Sequence, residues 1–519
     1  MTQPEPDGLR RRLLQGAGLG ALVLACPPLR AQPAVKPLLI VSSWEISGLA
    51  PAASGYIFTR LQVTETLLDA RDDGTPEAAL AASWKASPDG LEWHFELRPG
   101  ARFHDGSPVT AQAVARSLNL ARTPPGVLSM APIRSIEAAG EKLLRIRLAI
   151  PYMPLLSLLA HSSTMILAPA SFEAKGTVRE IIGSGPYRIS KLEAPHQVET
   201  RLSEHYDGPR PAIAQVRYMA AGRAETRTLM AESGQADLAY NLDPVSITRL
   251  RQRTSLSIAS VTLPRTLVVK LNAGLPGLKD LRVRQALSLA IDRPGIARAL
   301  LRDPELAASQ LMPPSLGAWH DPSLPALKRD PVALRQLMQQ AGWTLGAEGW
   351  HDAQGQLLRL KLQTFPDRPE LPVLAAALQD QWRQAGFAVS VSIGNSGDIP
   401  LAHRDGSLQM GLAARNYATV PDPTGTLAQD FGPHGGDWGA THWSSPVAVD
   451  ALQRLVRGGL DKAQLAAQRK RLLQTLHEEL PLIPVCWYRQ NVAISKRLEG
   501  VSLDPLERSF RLTGMRWKA

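Results

Sequence analysis

The sequence contains little cysteine, few aromatic residues and no long hydrophobic run. Its 519 residues include two cysteines, too few for a disulfide scaffold or for a four-cysteine zinc site. Aromatic residues make up 5% of the chain, which is little for a surface that stacks nucleic-acid bases. No apolar run approaches the roughly 18–20 residues that a membrane-spanning helix needs. These proportions exclude a polytopic membrane protein and do not favour a nucleic-acid partner.

What is present is the composition of a soluble globular protein. Hydrophobic residues make up 44% and charged residues 20% of the chain. At about 150 residues per domain, the length predicts roughly three folding units. The formal net charge is +11, yet the lysines and arginines are scattered and form no block with interleaved aromatic residues. We therefore expect a solvated basic surface on a protein outside the cytoplasm, with no nucleic-acid partner.

Residues 1–31 are predicted to be an export signal of twin-arginine type. Arginines at positions 10–12 precede an apolar stretch, residues 13–25, that is too short to span a membrane. A Sec signal has a similar form, so the export route stays open. Cleavage after Ala31 and lipidation of Cys26 in a lipobox-like segment are both compatible with the sequence. The mature protein is expected in the periplasm, either free or anchored through a lipid on Cys26.

Beyond the signal, short strands and helices alternate along the chain. Residues 91–97 alternate apolar and polar side chains, as a half-buried strand does. Thr110 is placed to cap a helix whose apolar residues recur at spacings of three and four. Residues 78–84 and 281–300 are also predicted to be helical, and residues 267–271 are predicted to form an apolar strand. This alternation predicts an α/β fold.

The sequence lacks the patterns that usually mark a catalytic centre. It has no G-x-S-x-G nucleophile elbow, no Walker A segment and no H-E-x-x-H motif. His104 and Asp105 are adjacent, but Asp105 precedes a glycine, as in a turn, and neighbouring residues on a strand point to opposite faces. Cys486 lies in an apolar run and is expected to be buried and inert. These observations favour a binding protein over an enzyme.

One glycine- and tryptophan-rich segment, residues 432–443, carries groups suited to binding a ligand or a metal complex. His434 and His442 are metal-ligand residue types, and Trp438 can stack on a ligand. An ordinary surface loop can have the same composition. The segment alone therefore leaves both interpretations open.

A series of short motifs, taken in order along the mature chain, resembles the family 5 extracytoplasmic solute-binding proteins. These proteins are the peptide- and nickel-binding subunits of ABC importers. Each motif is weak alone, and their order over nearly the whole mature chain makes the resemblance specific. The matching segments are residues 78–84, 87–95, 97–111, 183–187, 206–208, 232–237, 280–292, 337–343 and 479–484.

The resemblance implies the two-lobed periplasmic binding protein fold of the α/β class, with an extra subdomain in the first lobe. The first lobe would comprise residues 32–264, including an inserted subdomain at about 69–182. Residues 265–486 would form the second lobe, and residues 487–519 would return to the first.

The resemblance also implies how such a protein works. The chain is expected to cross between the lobes near residues 262–267 and 486–491. The lobes close by a hinge on a ligand that contacts both of them only when they are shut. The receptor is expected to be a monomer without a cofactor, and to deliver its small-molecule ligand to an ABC permease in the inner membrane. The alternative, a secreted hydrolase acting on peptides or glycosides, requires a nucleophile with its base or two facing carboxylates.

The resemblance leaves the ligand open between a short peptide and a metal chelate. In peptide-binding relatives an aspartate just before a tyrosine receives the peptide ammonium. Here Asn416 occupies that position, which removes the charge that would pair with the amine. Asp422 lies close by in the sequence as another carboxylate.

Nickel-binding relatives share the spacing of residues 415–423, and His434 falls near the position of their histidine ligand. Met165 and Pro421 stand where those relatives carry a carboxylate-binding arginine and an aromatic residue. A metallophore complex or another small chelate is therefore open beside nickel itself.

Two residues at the end of a predicted strand are expected to contact the ligand. Arg415 is expected either to bind a ligand carboxylate or to form a structural salt bridge, and Tyr417 to offer a stacking face. The predicted ligand-binding residues are Arg415, Asn416, Tyr417, Asp422, His434 and Trp438, with His434 as the metal ligand.

Overall fold

The computed structural model describes a chain that is continuous except at its ends and at three single positions. The described residues are 36–366, 368, 370–433 and 435–518. The predicted export signal, with Cys26, and the predicted metal ligand His434 lie outside the described residues. No helix in the described part of the chain is both long enough and apolar enough to cross a membrane.

Strands and α-helices alternate along the chain, as the sequence pattern predicts. The strands are β1 Leu38–Ser42, β2 Leu68–Ala70, β3 Pro76–Ala78, β4 Ala81–Ala86, β5 Glu92–Leu97, β6 Ile133–Ala138, β7 Leu143–Leu148, β8 Tyr187–Glu193, β9 Gln197–Leu202, β10 Gln215–Ala220, β11 Leu238–Ala239, β12 Leu256–Leu271, β13 Thr344–Leu345, β14 Trp350–His351, β15 Arg359–Thr364, β16 Ala388–Ile393, β17 Met410–Asn416, β18 Leu482–Ser495, β19 Leu498–Glu499 and β20 Arg516–Trp517. The helices are α1 Pro51–Arg60, α2 Ala111–Ala121, α3 Leu155–Leu158, α4 Ala224–Glu232, α5 Pro244–Leu250, α6 Pro276–Lys279, α7 Leu281–Leu289, α8 Arg293–Leu301, α9 Pro331–Gln340, α10 Glu370–Gln384, α11 Asp398–Arg404, α12 Thr424–Phe431, α13 Pro446–Arg457 and α14 Lys462–Glu479.

The largest sheet has ten strands and places β12 and β18 at its centre. Its strand order is β16-β15-β17-β12-β18-β11-β1-β10-β9-β8. β12 and β18 pair antiparallel from Leu256 opposite Ser495 to Lys270 opposite Leu482. β15, β16 and β17 are parallel to one another on one side of this pair, and β1, β10 and β11 are parallel on the other. Two groups of parallel strands are thus joined by two long strands.

Separate hydrophobic cores lie along the two halves of this sheet. One core takes its side chains from residues 38–240 and 492–515, and another takes them from residues 267–487. Between them, the pairing of β12 with β18 shifts register between Leu263 and Thr266. The shift lies where the first crossing between lobes is predicted. The domain boundaries themselves stay a prediction.

A second sheet, with the order β4-β5-β7-β6, forms its own layer with α2 against it. The predicted cap of α2 is confirmed, because Oγ1 of Thr110 accepts a hydrogen bond from the N–H of Ala113 at 3.3 Å. Val114 and Leu118 on the apolar face of α2 share one core with Phe95 of β5. The spacing of apolar residues in α2 therefore reflects its burial against this sheet.

The helix predicted over residues 78–84 is wrong. β3 ends at Ala78 and β4 begins at Ala81, and β4 pairs with β5 so that Trp84 lies opposite Phe95. The alanines of this segment favour a helix, but ordinary propensity differences amount to less than about 1 kcal/mol per residue. Pairing within the four-stranded sheet outweighs them.

The single helix predicted over residues 281–300 is in fact two helices. α7 ends at Leu289 and α8 begins at Arg293, with the carboxylate of Asp292 capping α8. Pro294 has no N–H, and in a continuous helix its ring would collide with the carbonyl four residues earlier. Apolar residues keep their spacing through the break, so periodicity alone predicts one continuous helix.

Candidate ligand-binding site

The parallel strands of both halves end near one group of charged and aromatic side chains. β15 ends at Thr364 and β17 at Asn416, and β1 ends at Ser42. In open α/β sheets, ligands bind in the crevice beyond the carboxyl ends of the parallel strands. The side chains beyond these ends therefore form the candidate site.

Glu507, on the C-terminal segment, joins groups from both halves of the sheet. Its carboxylate accepts hydrogen bonds from Nη2 of Arg265 at 2.8 Å and from Nε2 of Gln490 at 3.2 Å. Its backbone carbonyl accepts a hydrogen bond from Nε of Arg60 at the end of α1. Arg265 lies in β12 directly opposite Asn416 of β17. One residue thus connects α1, through its backbone carbonyl, with β12 and β18, through its carboxylate.

The surroundings keep Glu507 charged although it is buried. Its side chain is 7% exposed, and that of Arg265 is 10% exposed. Burial raises the pKa of Glu507, but Arg265, Arg60 and Arg368 outweigh this effect and leave the pKa below its ordinary value. The backbone of Glu507 has a φ of 56°, a left-handed conformation that costs a non-glycine residue roughly 1–2 kcal/mol. Strain of this kind collects at functional sites.

Aromatic rings support the arginine side chains. The guanidinium of Arg60 lies 3.8 Å from the ring centre of Trp44. The guanidinium groups of Arg265 and Arg368 lie 5.0 and 5.5 Å from the ring centre of Tyr488. Burial raises the pKa of Tyr488, so its phenol is neutral near neutral pH. Each cation is held over a ring face and its orientation is restricted.

Several buried polar atoms of this group find no hydrogen-bond partner among the described residues. They are Nη1 of Arg60, Nε of Arg265 and Oε1 of Glu370. Most buried polar atoms in folded proteins are hydrogen-bonded, and leaving one unsatisfied costs about 1–3 kcal/mol. The site therefore has unused capacity to bind a polar ligand. Its members, called the arginine cluster, are Arg60, Arg265, Arg368, Glu370, Tyr488 and Glu507.

Among the predicted residues, Arg415 lies in a buried ion pair. Its Nε and Nη2 donate to the two carboxylate oxygens of Asp430 at 2.6 and 2.7 Å, and the side chain of Asp430 is 1% exposed. This pair is the structural salt bridge that was the alternative for Arg415. Binding of a ligand carboxylate by Arg415 stays a prediction, and it would require the guanidinium to share or break this pair.

The side chains of Asn416 and Tyr417 have different environments at the end of β17. Oδ1 of Asn416 accepts a hydrogen bond from the N–H of Ala418 at 3.0 Å, which turns the chain. Asn416 also borders the arginine cluster, because it pairs with Arg265. Tyr417 is fully buried, and its hydroxyl has no hydrogen-bond partner in the described part of the chain. Its stacking on a ligand stays a prediction.

Asp422 makes internal contacts at the start of α12. Oδ1 accepts a hydrogen bond from the N–H of Thr424 at 2.8 Å, and Oδ2 accepts one from Nε1 of Trp319 at 3.4 Å. These bonds hold the turn between β17 and α12. The role of Asp422 in ligand binding also stays a prediction.

Trp438 is half-buried beside the segment that follows β15. Its ring lies edge-on to Phe365, with the ring centres 6.1 Å apart. Phe365 lies three residues before Arg368 on the same segment. Among the predicted residues, Asn416 thus lies directly opposite Arg265 of the arginine cluster, and Trp438 packs on Phe365, three residues before Arg368.

The metal-ligand prediction depends on a residue outside the described ones, His434. In the described part of the chain, no group of three or more histidines, cysteines, aspartates or glutamates is arranged to hold a metal ion. His442, the other histidine of the 432–443 loop, lies with Nδ1 2.9 Å from Oδ1 of Asn272. The metal-ligand role of His434 stays a prediction.

Sequence reasoning missed the arginine cluster. Arg265 is the member with a local signal, since it is a charged residue near the apolar run of β12. Arg60, Arg368 and Glu507 belong to no motif. They meet because β12 and β18 bring distant segments together, so periodicity and spacing carry no trace of the cluster.

Comparison with known proteins agrees with the sequence motifs. Residues 75–438 match the family model described as bacterial extracellular solute-binding proteins, family 5 Middle. Over 464 residues the chain is 26% identical to the nickel-binding periplasmic protein of Escherichia coli (strain K12). That match covers 87% of this chain and 88% of the relative.

The fold is similar to those of solved two-lobed binding proteins. The structure of NikA from Brucella suis in complex with Fe(III)-EDTA matches with a TM-score of 0.83 and 23% identity, covering 92% of this chain and all of that chain (100%). The dipeptide binding protein from Pseudoalteromonas sp. SM9913 in complex with Met-Leu matches with a TM-score of 0.75 and 19% identity, covering 93% and 100%. The predicted two-lobed α/β fold is confirmed. Since the family model also matches well over half of the sequence, this chain belongs to family 5 of the bacterial extracellular solute-binding proteins.

Proposed function

We propose that the protein is the extracytoplasmic receptor of an ABC importer and that it captures a small solute bearing carboxylate groups. The arginine cluster carries this proposal, because its buried guanidinium groups have hydrogen-bond donors without a partner among the described residues. A planar guanidinium pairs with a carboxylate through two parallel hydrogen bonds. An anionic solute would therefore satisfy donors that the described residues leave unpaired.

The carboxylate is the chemistry that a short peptide and a metal chelate share. One relative is named as nickel-binding, one similar structure holds Fe(III)-EDTA, and another holds Met-Leu. EDTA and Met-Leu both carry carboxylates. The solute proposed for this chain carries that common group.

The origin of the cluster supports capture by lobe closure. Arg60, with Trp44 beneath it, belongs to the first half of the sheet. Arg265 and Arg368 belong to β12 and to the segment after β15, with Glu507 between the two sides. A solute that contacts both sides gains its full binding energy only in the closed form, so it shifts the equilibrium towards closure. The permease then recognises the closed receptor.

We also propose that the solute leaves the receptor chemically unchanged. Hydrolysis needs a nucleophile beside a base, or a carboxyl group able to donate a proton. Glu507 is bonded to Arg265 and Gln490, and its lowered pKa makes it a poor proton donor near neutral pH. The secreted-hydrolase alternative would appear as conversion of the solute.

We propose that capture takes place in the periplasm, because the predicted export signal and the family both indicate an exported receptor. The mass of the first peptide of the mature protein distinguishes its two forms. Cleavage after Ala31 gives an unmodified start, whereas an acyl chain on Cys26 gives a lipid-anchored one.

The test of this function is closure without turnover. Fe(III)-EDTA, nickel with L-histidine, and Met-Leu are added separately to the mature protein while X-ray scattering and tryptophan fluorescence are recorded. We expect at least one probe to reduce the radius of gyration and to be recovered intact. Native mass spectrometry of the protein from its own periplasm identifies the natural solute. Chemical conversion of that solute, or no closure with it or with any probe, would contradict the proposal.

A pair of variants tests the part played by the arginine cluster. Arg368→Gln removes a guanidinium that lies over Tyr488, and we expect the affinity for the bound probe to fall about tenfold. Arg359→Gln is the matched control, because Arg359 is exposed on the neighbouring strand β15. Equal affinities in the two variants would show that Arg368 does not contribute to solute binding.

A further inference from the structure

A lysine is buried at the centre of the ten-stranded sheet, within an apolar part of β12. Lys270 is 2% exposed. Its Nζ lies 2.7 Å from Nδ1 of His403 on α11. It also donates hydrogen bonds to the backbone carbonyls of Gly436 at 3.2 Å and Asp437 at 2.8 Å. Lys270 therefore fastens the 432–443 loop to the sheet beneath it.

Backbone hydrogen bonds to neighbouring segments hold the C-terminal end of this loop. The N–H of Ala440 donates to the carbonyl of Asp430 at 2.8 Å, and the N–H of Ala273 donates to the carbonyl of Thr441 at 2.9 Å. The ion pair between Arg404 and Asp437 is largely exposed, and exposed pairs contribute little, up to about 1 kcal/mol. Lys270 is thus a buried side chain that bonds directly to the backbone in the middle of the loop, while Nδ1 of His403 also lies 3.0 Å from Oγ1 of Thr441.

The buried amine is matched to neutral partners. Burial lowers the pKa of Lys270 to about 7, although Asp430 and Asp437 act in the opposite direction. Burial likewise lowers the pKa of His403 to about 4, so the imidazole is neutral near neutral pH. A neutral amine can give its two N–H groups to the two carbonyls and accept a third hydrogen bond from Nδ1–H of His403. All three contacts are then satisfied without a buried charge.

The anchored segment packs against the segment that carries Arg368 of the candidate site. Trp438 follows Asp437 in the chain, and its ring meets Phe365 edge-on at 6.1 Å. Phe365 belongs to the short segment that carries Arg368 of the arginine cluster. The carbonyl of Asp437, which Lys270 holds, therefore helps to set where Trp438 packs on Phe365.

We propose that Lys270 is a positioning residue for solute capture, which holds residues 435–438 through the carbonyls of Gly436 and Asp437 and so keeps Trp438 against Phe365, on the segment that carries Arg368. The proposal rests on the proposed function, because it takes the loop to contact the captured solute. A hydrophobic residue of similar length would avoid the cost of burying an amine. The hydrogen bonds from Lys270 to the loop offset that cost.

This role gives the loop a characteristic pH dependence. The pKa of Lys270 is about 7 when the loop is in place and returns towards about 10.4 when the amine meets water. By linkage, the anchored loop becomes more stable as the pH rises from about 7 towards about 10. The other charged and titratable groups facing Lys270 and His403 are Asp430, Asp437, Arg404, Arg415 and His442. These groups all remain in a Lys270→Met variant, so any pH dependence left in that variant belongs to them.

The experiment compares Lys270→Met with Lys361→Met in the full mature protein. Lys361 is exposed on β15 and serves as the matched control. Hydrogen exchange of residues 432–443 is measured at pH 6 and pH 8.5, corrected for intrinsic rates, together with affinity for Fe(III)-EDTA, nickel with L-histidine, and Met-Leu. We expect Lys270→Met to raise loop exchange at least about fivefold at pH 8.5, to weaken probe binding by a similar factor, and to abolish the pH difference seen in the wild type.

Each outcome decides one point. Unchanged loop exchange in folded Lys270→Met protein overturns the proposal whatever the probes do. Faster exchange with unchanged affinity shows an anchor that does not serve capture, and this also overturns it. If the wild type closes neither on a probe nor on the natural solute, the proposed function is what fails, and the exchange measurement alone then decides whether Lys270 fixes the loop. Circular dichroism checks folding. Lys270→Gln, which keeps N–H donors but does not titrate, replaces a methionine variant that does not fold, and a pH difference in loop exchange equal to that of the wild type would then overturn the proposal.

Discussion

At the scale of single residues, Glu507 illustrates how a buried charge is retained. Its carboxylate lies among Arg60, Arg265 and Arg368, and these neighbours overcome the effect of burial on its pKa. Removing one partner of such a group leaves the other charges uncompensated, which costs more than the intact arrangement contributes. We therefore expect substitution of Glu507 to destabilise the fold, although the residue lies near the C-terminus.

The variant Glu507→Gln is expected to lower the free energy of unfolding by about 3 kcal/mol, because it leaves buried arginines without their counter-charge. Urea unfolding followed by circular dichroism measures the change. Glu499→Gln is the control, since Glu499 pairs with Arg516 at an exposed position and the loss should stay below about 1 kcal/mol. Equal losses at the two positions would contradict the view that Glu507 compensates a buried cluster.

Glu507 also predicts how stability depends on pH. Its pKa in the folded protein lies below the ordinary value, so its contribution is present above the unfolded pKa of about 4.3 and is lost as the pH falls through the folded pKa. The difference in unfolding free energy between wild type and Glu507→Gln should therefore shrink as the pH is lowered from about 6 to about 3. A difference that stays constant over this range would mean that the effect is not electrostatic.

At the scale of elements, α2 shows where local sequence reasoning is sufficient. A threonine followed by residues of helical periodicity specifies both the start and the buried face of this helix, and the structure has both. Caps and amphipathic faces depend on neighbours within a few positions, which a sequence displays directly. The segments 78–84 and 281–300 are different, because sheet pairing decides the first and one proline interrupts the second.

The cap of α2 can be tested by Thr110→Ala, which removes the oxygen that bonds the N–H of Ala113. The free energy of unfolding is expected to fall by about 1 kcal/mol. Thr123→Ala, at an exposed position just after α2, should change it by less than about 0.5 kcal/mol. Thermal unfolding of both variants checks the difference, and equal effects would show that Thr110 is not the cap that matters.

At the scale of the whole molecule, residues 74–153 meet residues 420–456 directly. The N–H of Met153 donates a hydrogen bond to the carbonyl of Val456 at 2.7 Å. Val420 lies in the same core as α2 and its sheet. A Cβ added at Gly74 would lie 2.4 Å from the carbonyl oxygen of Pro421. These contacts join the two ranges of the chain beside the turn that follows β17.

Gly74→Ala is therefore expected to weaken closure without touching the arginine cluster. The new methyl group meets backbone, which cannot move aside as a flexible side chain can. The control is Gly100→Ala, since Gly100 has a similar φ of 79° against 85° for Gly74 but has open space around its Cβ. X-ray scattering should show a larger radius of gyration for Gly74→Ala, with probe affinity reduced about tenfold. Similar behaviour of the two variants would show that backbone strain, rather than the contact with Pro421, is responsible.

The sequence by itself determined the export signal as an expectation, the α/β class, the order of the motifs and through them the family. Those features rest on composition and on patterns within a few residues, which survive in the linear order of the chain. Only the tertiary structure decided the arginine cluster and the anchoring of the 432–443 loop. Arg265 and Glu507 are 242 positions apart, and their contact exists because long antiparallel strands fix which distant residues meet. Charge pairing across such a distance depends on three-dimensional register, and no local pattern encodes it.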